Sequence, residues 1–356
     1  MDNLKIGITQ GDTNGVGLEV ALKAIMPEGF TEICTPIVFA NKKLLLQTLN
    51  MMGATMKFQS IESAADARPG KINVVNIGEQ TPEISYGTPT PESGKAALAS
   101  LNAACDALEA GEIDALVTSP ISKEAIQSDE FNFPGHTEYL EARFADEGNP
   151  DSKASMILFN DNLRVALLTT HLPIAKVSDA VRADAIKDAV KRLDRTLRRD
   201  FACDRPKIAI LSLNPHNGDG GVLGSEEQTE IIPALSDLRE EKILAFGPFA
   251  ADGFFGSEQW RNFDGVLAMY HDQGLAPFKT IAGAAGVNFT AGLEVIRTSP
   301  DHGTAYDIAG TNSADPTSMR EAIYKAIDIY KARSIYDEAS ASPLPFSVQK
   351  SSNKPQ

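Results

Sequence analysis

Short β-rich runs alternate with helix-period stretches along almost the whole chain, and that alternation limits the fold more than any other feature. Strand candidates are Lys5–Thr9, Ile37–Ala40, Ile72–Ile77, Ala115–Thr118, Met156–Phe159, Val165–Thr169, Lys207–Leu213 and Gly265–Tyr270. Between them Leu98, Leu101, Cys105 and Leu108 fall on one helical face that Gly111 closes, and Ile186, Val190, Leu193 and Leu197 fall on another. Strands separated by helices need crossover connections, so the pattern predicts a largely parallel sheet covered on both faces. At 356 residues the chain has material for two α/β lobes, at ~150 residues per lobe. No repeat is visible, and the tail from Ser340 to Gln356, rich in Ser, Pro, Lys and Asn, is expected to fray.

Composition narrows the partners. The longest apolar runs are strand-sized, so no membrane contact is expected, and the start Met1-Asp2-Asn3-Leu4-Lys5 lacks the pattern of a signal peptide. Cys34, Cys105 and Cys203 are few and far apart, which suits a reducing cytoplasm. A net charge of −15 repels phosphate backbones, so nucleic acid is not an expected partner. The local basic run Lys191-Arg192…Arg195…Arg198-Arg199 reads as the wet face of a helix.

Three of the five histidines follow an apolar run and precede a turn signal: His171 before Leu-Pro, His216 before Asn-Gly, and His271 before Asp-Gln-Gly. In open parallel sheets the carboxyl ends of the strands form the ligand crevice, where three imidazoles with an open position could make a metal site. Each could equally cap its strand by a backbone hydrogen bond. Phe133-Pro-Gly-His136-Thr137-Glu138 reads as a turn entering a helix, either an anion seat or a helix cap with Thr137 as N-cap. Gly11-Asp-Thr-Asn-Gly-Val-Gly17 is neither GxGxxG nor a Walker loop and reads as a tight turn bordering the cleft. The loop from Asn217 to Gly224 needs positive φ angles. Lys279, Asn288 and Arg297 add two cations and an amide that would suit a phosphate or carboxylate.

Taken in order, GDTNGVGLE, TSPISKEAI, FPGHTEYL, THLP, LNPHNGDGGVLGSEE, GPFAADGFF, MYHDQGLAPFK and GVNFTAGLEVIRTSPDHGTAYDIAG span nearly the whole chain. Together they resemble the 4-hydroxythreonine-4-phosphate dehydrogenase family of pyridoxal phosphate biosynthesis. The chain departs from it at Thr13-Asn14, where the family usually has Pro-Ala. The resemblance implies an α/β fold of the isocitrate/isopropylmalate-dehydrogenase kind, two α/β/α lobes with the active site in the cleft between them. Residues 1–130 plus 285–340 would form the first lobe and 131–284 the second, with 341–356 a flexible tail. A homodimer is implied, with metal ligands drawn from both subunits.

Carried over by position, His171, His216 and His271 would hold a divalent metal, zinc first, with cobalt, magnesium or manganese as alternatives. His136, Thr137, Lys279, Asn288 and Arg297 would face the phosphorylated substrate. Asp272, Asp252 and Lys123 are the acid–base candidates, Asp272 ahead of Lys123. His302, Gly303, Thr304 and Asp307 resemble the adenosine-binding loop of isopropylmalate dehydrogenases, and a carboxylate at Asp307 would favour NAD over NADP; the bland reading is that Asp307 caps a helical turn. The implied reaction is NAD-linked oxidation at C3 of 4-phosphooxy-L-threonine with loss of CO2, giving 3-amino-2-oxopropyl phosphate. Rival readings are a sister dehydrogenase for threonate or erythronate phosphate, a phosphate acyltransferase on the same fold, and a non-catalytic binding protein.

Overall fold

The computed structural model describes residues 3–78, 83–146, 148–149 and 152–341; the tail beyond 341 lies outside the described residues. Its strands are β1 (Lys5–Thr9), β2 (Thr35–Ala40), β3 (Gln59–Ile61), β4 (Asn73–Asn76), β5 (Ala115–Val117), β6 (Ser155–Phe159), β7 (Arg164–Leu167), β8 (Lys207–Leu211), β9 (Leu244–Phe249), β10 (Gly265–Ala268), β11 (Val287–Ala291) and β12 (Arg297–Pro300). They form one sheet in the order β3-β4-β2-β1-β5-β12-β11-β6-β7-β10-β8-β9. Every pairing is parallel except β11 with β12, β11 with β6, and β6 with β7.

Both faces of this sheet are covered, and the side-chain alternation says so directly. In β2, Val38 and Ala40 enter one apolar cluster while Ile37 and Phe39 enter another. In β8, Ile208 and Ile210 point to that first cluster and Ala209 and Leu211 to a third. A strand buried on both sides reads as a continuous apolar run, which is why these strands are visible in sequence. The helices behave likewise. Leu98, Leu101, Cys105 and Leu108 are the buried stripe of the helix Pro91–Glu109, which Thr90 and Ser93 start with reciprocal capping bonds. Gly94 on that helix faces the turn at Ala125, whose carbonyl oxygen would lie 1.8 Å from a Cβ, so only glycine lets the Lys123–Ile126 turn pack so closely.

Four strands escape the sequence pattern: β3, β9, β11 and β12. β3 has three residues, and β9 contains Gly247-Pro248 with a cis peptide bond. β11 and β12 carry polar residues in buried positions, Thr290, Arg297, Thr298 and Ser299, which interrupt any apolar run. The basic stretch on the helix Ala183–Arg199 is also more than a wet face. Arg198 pairs with Asp194 within the helix, while Lys191 pairs with Glu241 and Arg199 with both Glu294 and Asp337, so the run also ties this helix to its neighbours and to the C-terminal helix Thr317–Ala341. Among the described residues, no helix is long and apolar enough to cross a membrane.

Candidate active site

The strands β7, β10 and β8 are consecutive in the sheet, and the segments that leave their carboxyl ends carry His171, His271 at the start of the helix His271–Ala282, and His216 in that order. Beside them, where β5, β12 and β11 end or begin, lies a cavity of about 210 Å³. Its walls include Thr118, Lys123, Asn288, Arg297 and His302, and the first turn of the helix His136–Phe144. That helix starts from Gly135 in extended backbone with no side chain capping it; Thr137 is inside the helix rather than its N-cap. Its first-turn N–H groups therefore face whatever fills the cavity, with the helix dipole adding partial positive charge.

Arg297 is the centre of this wall. It is 2% exposed, and its guanidinium donates to threonine hydroxyls alone: Nε and Nη2 to Thr118 Oγ1 at 2.9 and 2.5 Å, and Nη1 to Thr290 Oγ1 at 3.1 Å. Burial pushes its pKa down to about 9, which still leaves it charged at neutral pH. The other buried arginine, Arg333, is treated differently: its Nε reaches the buried Asp200 carboxylate at 2.8 Å. No carboxylate among the described residues hydrogen-bonds Arg297, Glu138 acting on it only through space, and an anion entering the cavity would offset the cost of burying the charge.

The neighbours are polar as well. Burial, and after it the charges of Arg297 and Lys123, hold His136 well below the usual imidazole range, so its ring is neutral at pH 7. His136 Nε2, Asn288 Oδ1, Glu138 Oε2 and His302 Nε2 are shielded from solvent without a partner. Clustered unsatisfied polar atoms around one hole are the signature of a site built for a polar ligand.

On the rim, His171 bridges two groups, with Nε2 3.5 Å from Lys123 Nζ and Nδ1 3.4 Å from Glu138 Oε1. The His171 hydrogen bond is the main reason Glu138 sits below the usual carboxylate range. The His171 and His271 rings are 6.3 Å apart, and His271 Nδ1 lies 2.7 Å from Asp272 Oδ1. His216 is elsewhere, in a second, more open cavity of about 520 Å³ with Asp252, Tyr270 and Gln273. Among the described residues, no three His, Cys, Asp or Glu side chains come close enough to share an ion.

The other expected residues scatter. Lys279 Nζ is held by Asp301, 2.9 Å from both its Oδ1 and its carbonyl oxygen, and does not line the cavity. Asp272 is 86% exposed. Thr304 touches the Gly11–Gly17 loop, its carbonyl accepting from Val16 N at 3.0 Å, and Asp307 lies exposed in the short turn Tyr306–Ile308. Sequence reasoning passed over Thr118, Thr290 and Glu138, which hold Arg297 and His171. The available signal was Glu138's place beside His136 and Thr137 at a helix start.

A family model described as "Pyridoxal phosphate biosynthetic protein PdxA" matches residues 32–326. The 4-hydroxythreonine-4-phosphate dehydrogenase of Bacteroides thetaiotaomicron is 47% identical over 96% of this chain and 93% of its own length. A protein of Oceanobacillus iheyensis, provisionally named a D-threonate 4-phosphate dehydrogenase, is 37% identical over 91% of this chain and 97% of its own. The crystal structure of the Klebsiella pneumoniae 4-hydroxythreonine-4-phosphate dehydrogenase superposes with a TM-score of 0.79 at 32% identity, covering 93% of this chain and 98% of that one. The α/β fold expected from the sequence is therefore shared with a solved dehydrogenase, and the chain belongs to the family of the pyridoxal phosphate biosynthetic protein PdxA.

Proposed function

We propose that this chain is a cytoplasmic dehydrogenase that oxidises the C3 hydroxyl of 4-phosphooxy-L-threonine with NAD, with loss of CO2 to give 3-amino-2-oxopropyl phosphate, a step of pyridoxal 5′-phosphate biosynthesis. The observation that carries this reading is the buried Arg297, without a carboxylate partner, beside the uncapped helix start at His136. A phosphate dianion there accepts from the guanidinium and from the first-turn N–H groups, each such charge-assisted bond worth about 1.5–3 kcal/mol. Neutral His136 and the Asn288 amide complete the seat with hydrogen bonds. Lys279 joins only by exchanging Asp301 for the ligand.

With the phosphate fixed, the rest of a four-carbon substrate reaches toward His171 and Lys123. Lys123 lines the cavity whereas Asp272 does not, so Lys123 is the better placed of the two acid–base candidates. The residues fit a divalent metal in kind: two imidazoles lie 6.3 Å apart, and His171 has the carboxylate behind it that metal-bound histidines usually have. Zinc, cobalt, magnesium or manganese bound there would polarise the substrate oxygen. His216 would come from a second copy, because the loops that bear His171 and His216 expose Ile174 (71%) and Val222 (80%), apolar surface that a homodimer would cover. The lobes would be 1–130 with 285–340 and 131–284, their seam at β12, β11 and β6, where antiparallel pairing interrupts the parallel sheet.

The second reading, a D-threonate 4-phosphate dehydrogenase, is favoured by the Oceanobacillus relative and by a seat that recognises only the phosphate end. A substrate panel decides it. NADH formation should be fastest with 4-phosphooxy-L-threonine and at least a hundredfold slower with unphosphorylated 4-hydroxythreonine, on the order of what two lost charge-assisted bonds remove. Preference for D-threonate 4-phosphate would establish the second reading, and equal rates for phosphorylated and free substrate would overturn the seat.

A further inference from the structure

Asn14 stands where the resembled family usually has alanine, and the structure gives it a task. It is completely buried. Its Oδ1 accepts from Ser85 N at 2.8 Å, its Nδ2 donates to Thr88 O at 2.8 Å and to Thr90 Oγ1 at 3.2 Å, and its carbonyl accepts from Gly87 N at 3.0 Å. Its own N–H is fixed by Asp12 Oδ1 at 2.9 Å. The side chain thus moors Ser85, Thr88 and Thr90, and the main-chain carbonyl of the same residue moors Gly87 between them.

That segment lies against the phrase His302–Gly310. The Gly87 α-carbon faces Tyr306 O, which a Cβ would approach to 3.0 Å. The ring of Tyr86 covers Gly310 so closely that a Cβ there would be 2.5 Å from Cδ2. From the other side the Gly11–Gly17 loop holds the same phrase, with Val16 N donating to Thr304 O and Gly15 packed against that carbonyl. Asn14 therefore sits in a hub that clasps two loops together, and Tyr86, 36% exposed, presents its remaining face to solvent at their junction.

We propose that Asn14 is a positioning residue for the dinucleotide: it moors Ser85–Thr90 against His302–Gly310 so that Tyr86 forms one wall of the adenosine end of the cofactor site. This rests on the reading of His302–Gly310 as the NAD loop. An aromatic wall supplies a flat apolar face for a purine, and its use depends on being held in place before the ligand arrives.

The test is calorimetric NAD binding to the full chain, together with hydrogen exchange at Ser85–Thr90. Tyr86→Ala, which leaves every Asn14 hydrogen bond in place, should weaken NAD about tenfold and leave exchange in the segment nearly unchanged. Asn14→Ala should weaken NAD to a similar extent, speed exchange at Ser85–Thr90, and leave the affinity for 4-phosphooxy-L-threonine within twofold. Because Asn14 acts through Tyr86, the double variant should bind NAD no more weakly than Tyr86→Ala alone. Native NAD affinity in Tyr86→Ala, or additive losses in the double variant, would overturn the proposal. So would an equal loss of phosphorylated-substrate affinity in Asn14→Ala, which marks general damage. If Asn14→Ala does not fold, the isosteric Asn14→Asp, which keeps the acceptor and loses the donors, carries the same comparison. A wild-type chain that binds no NAD overturns the cofactor reading and this proposal together, and is told apart because the failure precedes any substitution.

Discussion

The Arg297 cavity and the histidine rim are neighbours built on opposite terms. The cavity is complete within one chain. Arg297 is buried, two threonine hydroxyls fix its guanidinium, and a helix start, an imidazole and an amide converge on the same space. The rim is not complete: His171 and His271 approach each other, but His216 lies in a separate cavity and the adjoining loops expose apolar side chains. The difference teaches that recognition and chemistry need not mature at the same level. A phosphate seat needs rigid donors and can be finished by folding alone, whereas a shared metal site is finished only by assembly and by the ion.

Breaking the finished half should have the largest effect. Arg297→Met should lower kcat/KM for 4-phosphooxy-L-threonine by about a hundredfold, corresponding to roughly two charge-assisted bonds lost in a desolvated site. Steady-state kinetics check it, and a loss below about tenfold would mean that the phosphate sits elsewhere. The same variant should gain stability without ligand, because it removes a fully buried charge that no carboxylate hydrogen-bonds.

How far these two regions could be read from the chain follows from the same contrast. Strands such as β1, with Ile6 and Ile8 wholly buried, announce themselves by apolar runs, and the three histidines stand visibly after three of them. β11 and β12 were illegible because Asn288, Thr290, Arg297 and Ser299 stand where a strand pattern expects apolar residues. Three of these polar residues, Asn288, Arg297 and Ser299, are part of the cavity wall itself. Lys279 illustrates another limit: its pairing with Asp301 joins positions 22 residues apart through tertiary packing, and no local pattern reports that. Glu138 was in plain view beside His136, but its contact with His171 depends on how β7 is placed. The separation of His216 from His171 and His271 follows from where the loop after β8 turns, which no single-sequence periodicity contains.

A smaller effect sharpens the cavity side. His136 is held well below the ordinary imidazole value of 6.5 by burial first and by the charges of Arg297 and Lys123 after it. Above pH 6.5 the ring is neutral whether the chain is folded or not, and it adds no pH dependence. As pH falls below that value, the unfolded chain takes up a proton that the folded ring refuses, so stability declines, at most about 1.4 kcal/mol per pH unit until the folded ring itself titrates. His136→Gln should therefore lose stability less steeply between about pH 6.5 and 5 than the parent. Denaturant midpoints across that window measure it, and parallel curves would remove His136 from the list of buried neutral groups.

The central claim is that the cavity belongs to one chain and the histidine set to two, and mixing two inactive variants tests it most directly. His171→Ala and His216→Ala should each lose metal and activity, for opposite halves of the shared site. Unfolded or dissociated together and reassembled, they form hybrid dimers in which one site has every histidine, so about a quarter of the parental activity and metal content should return. No recovery, with hybrid dimers demonstrated by mass, would contradict the shared site and place all three histidines either within one chain or outside the chemistry.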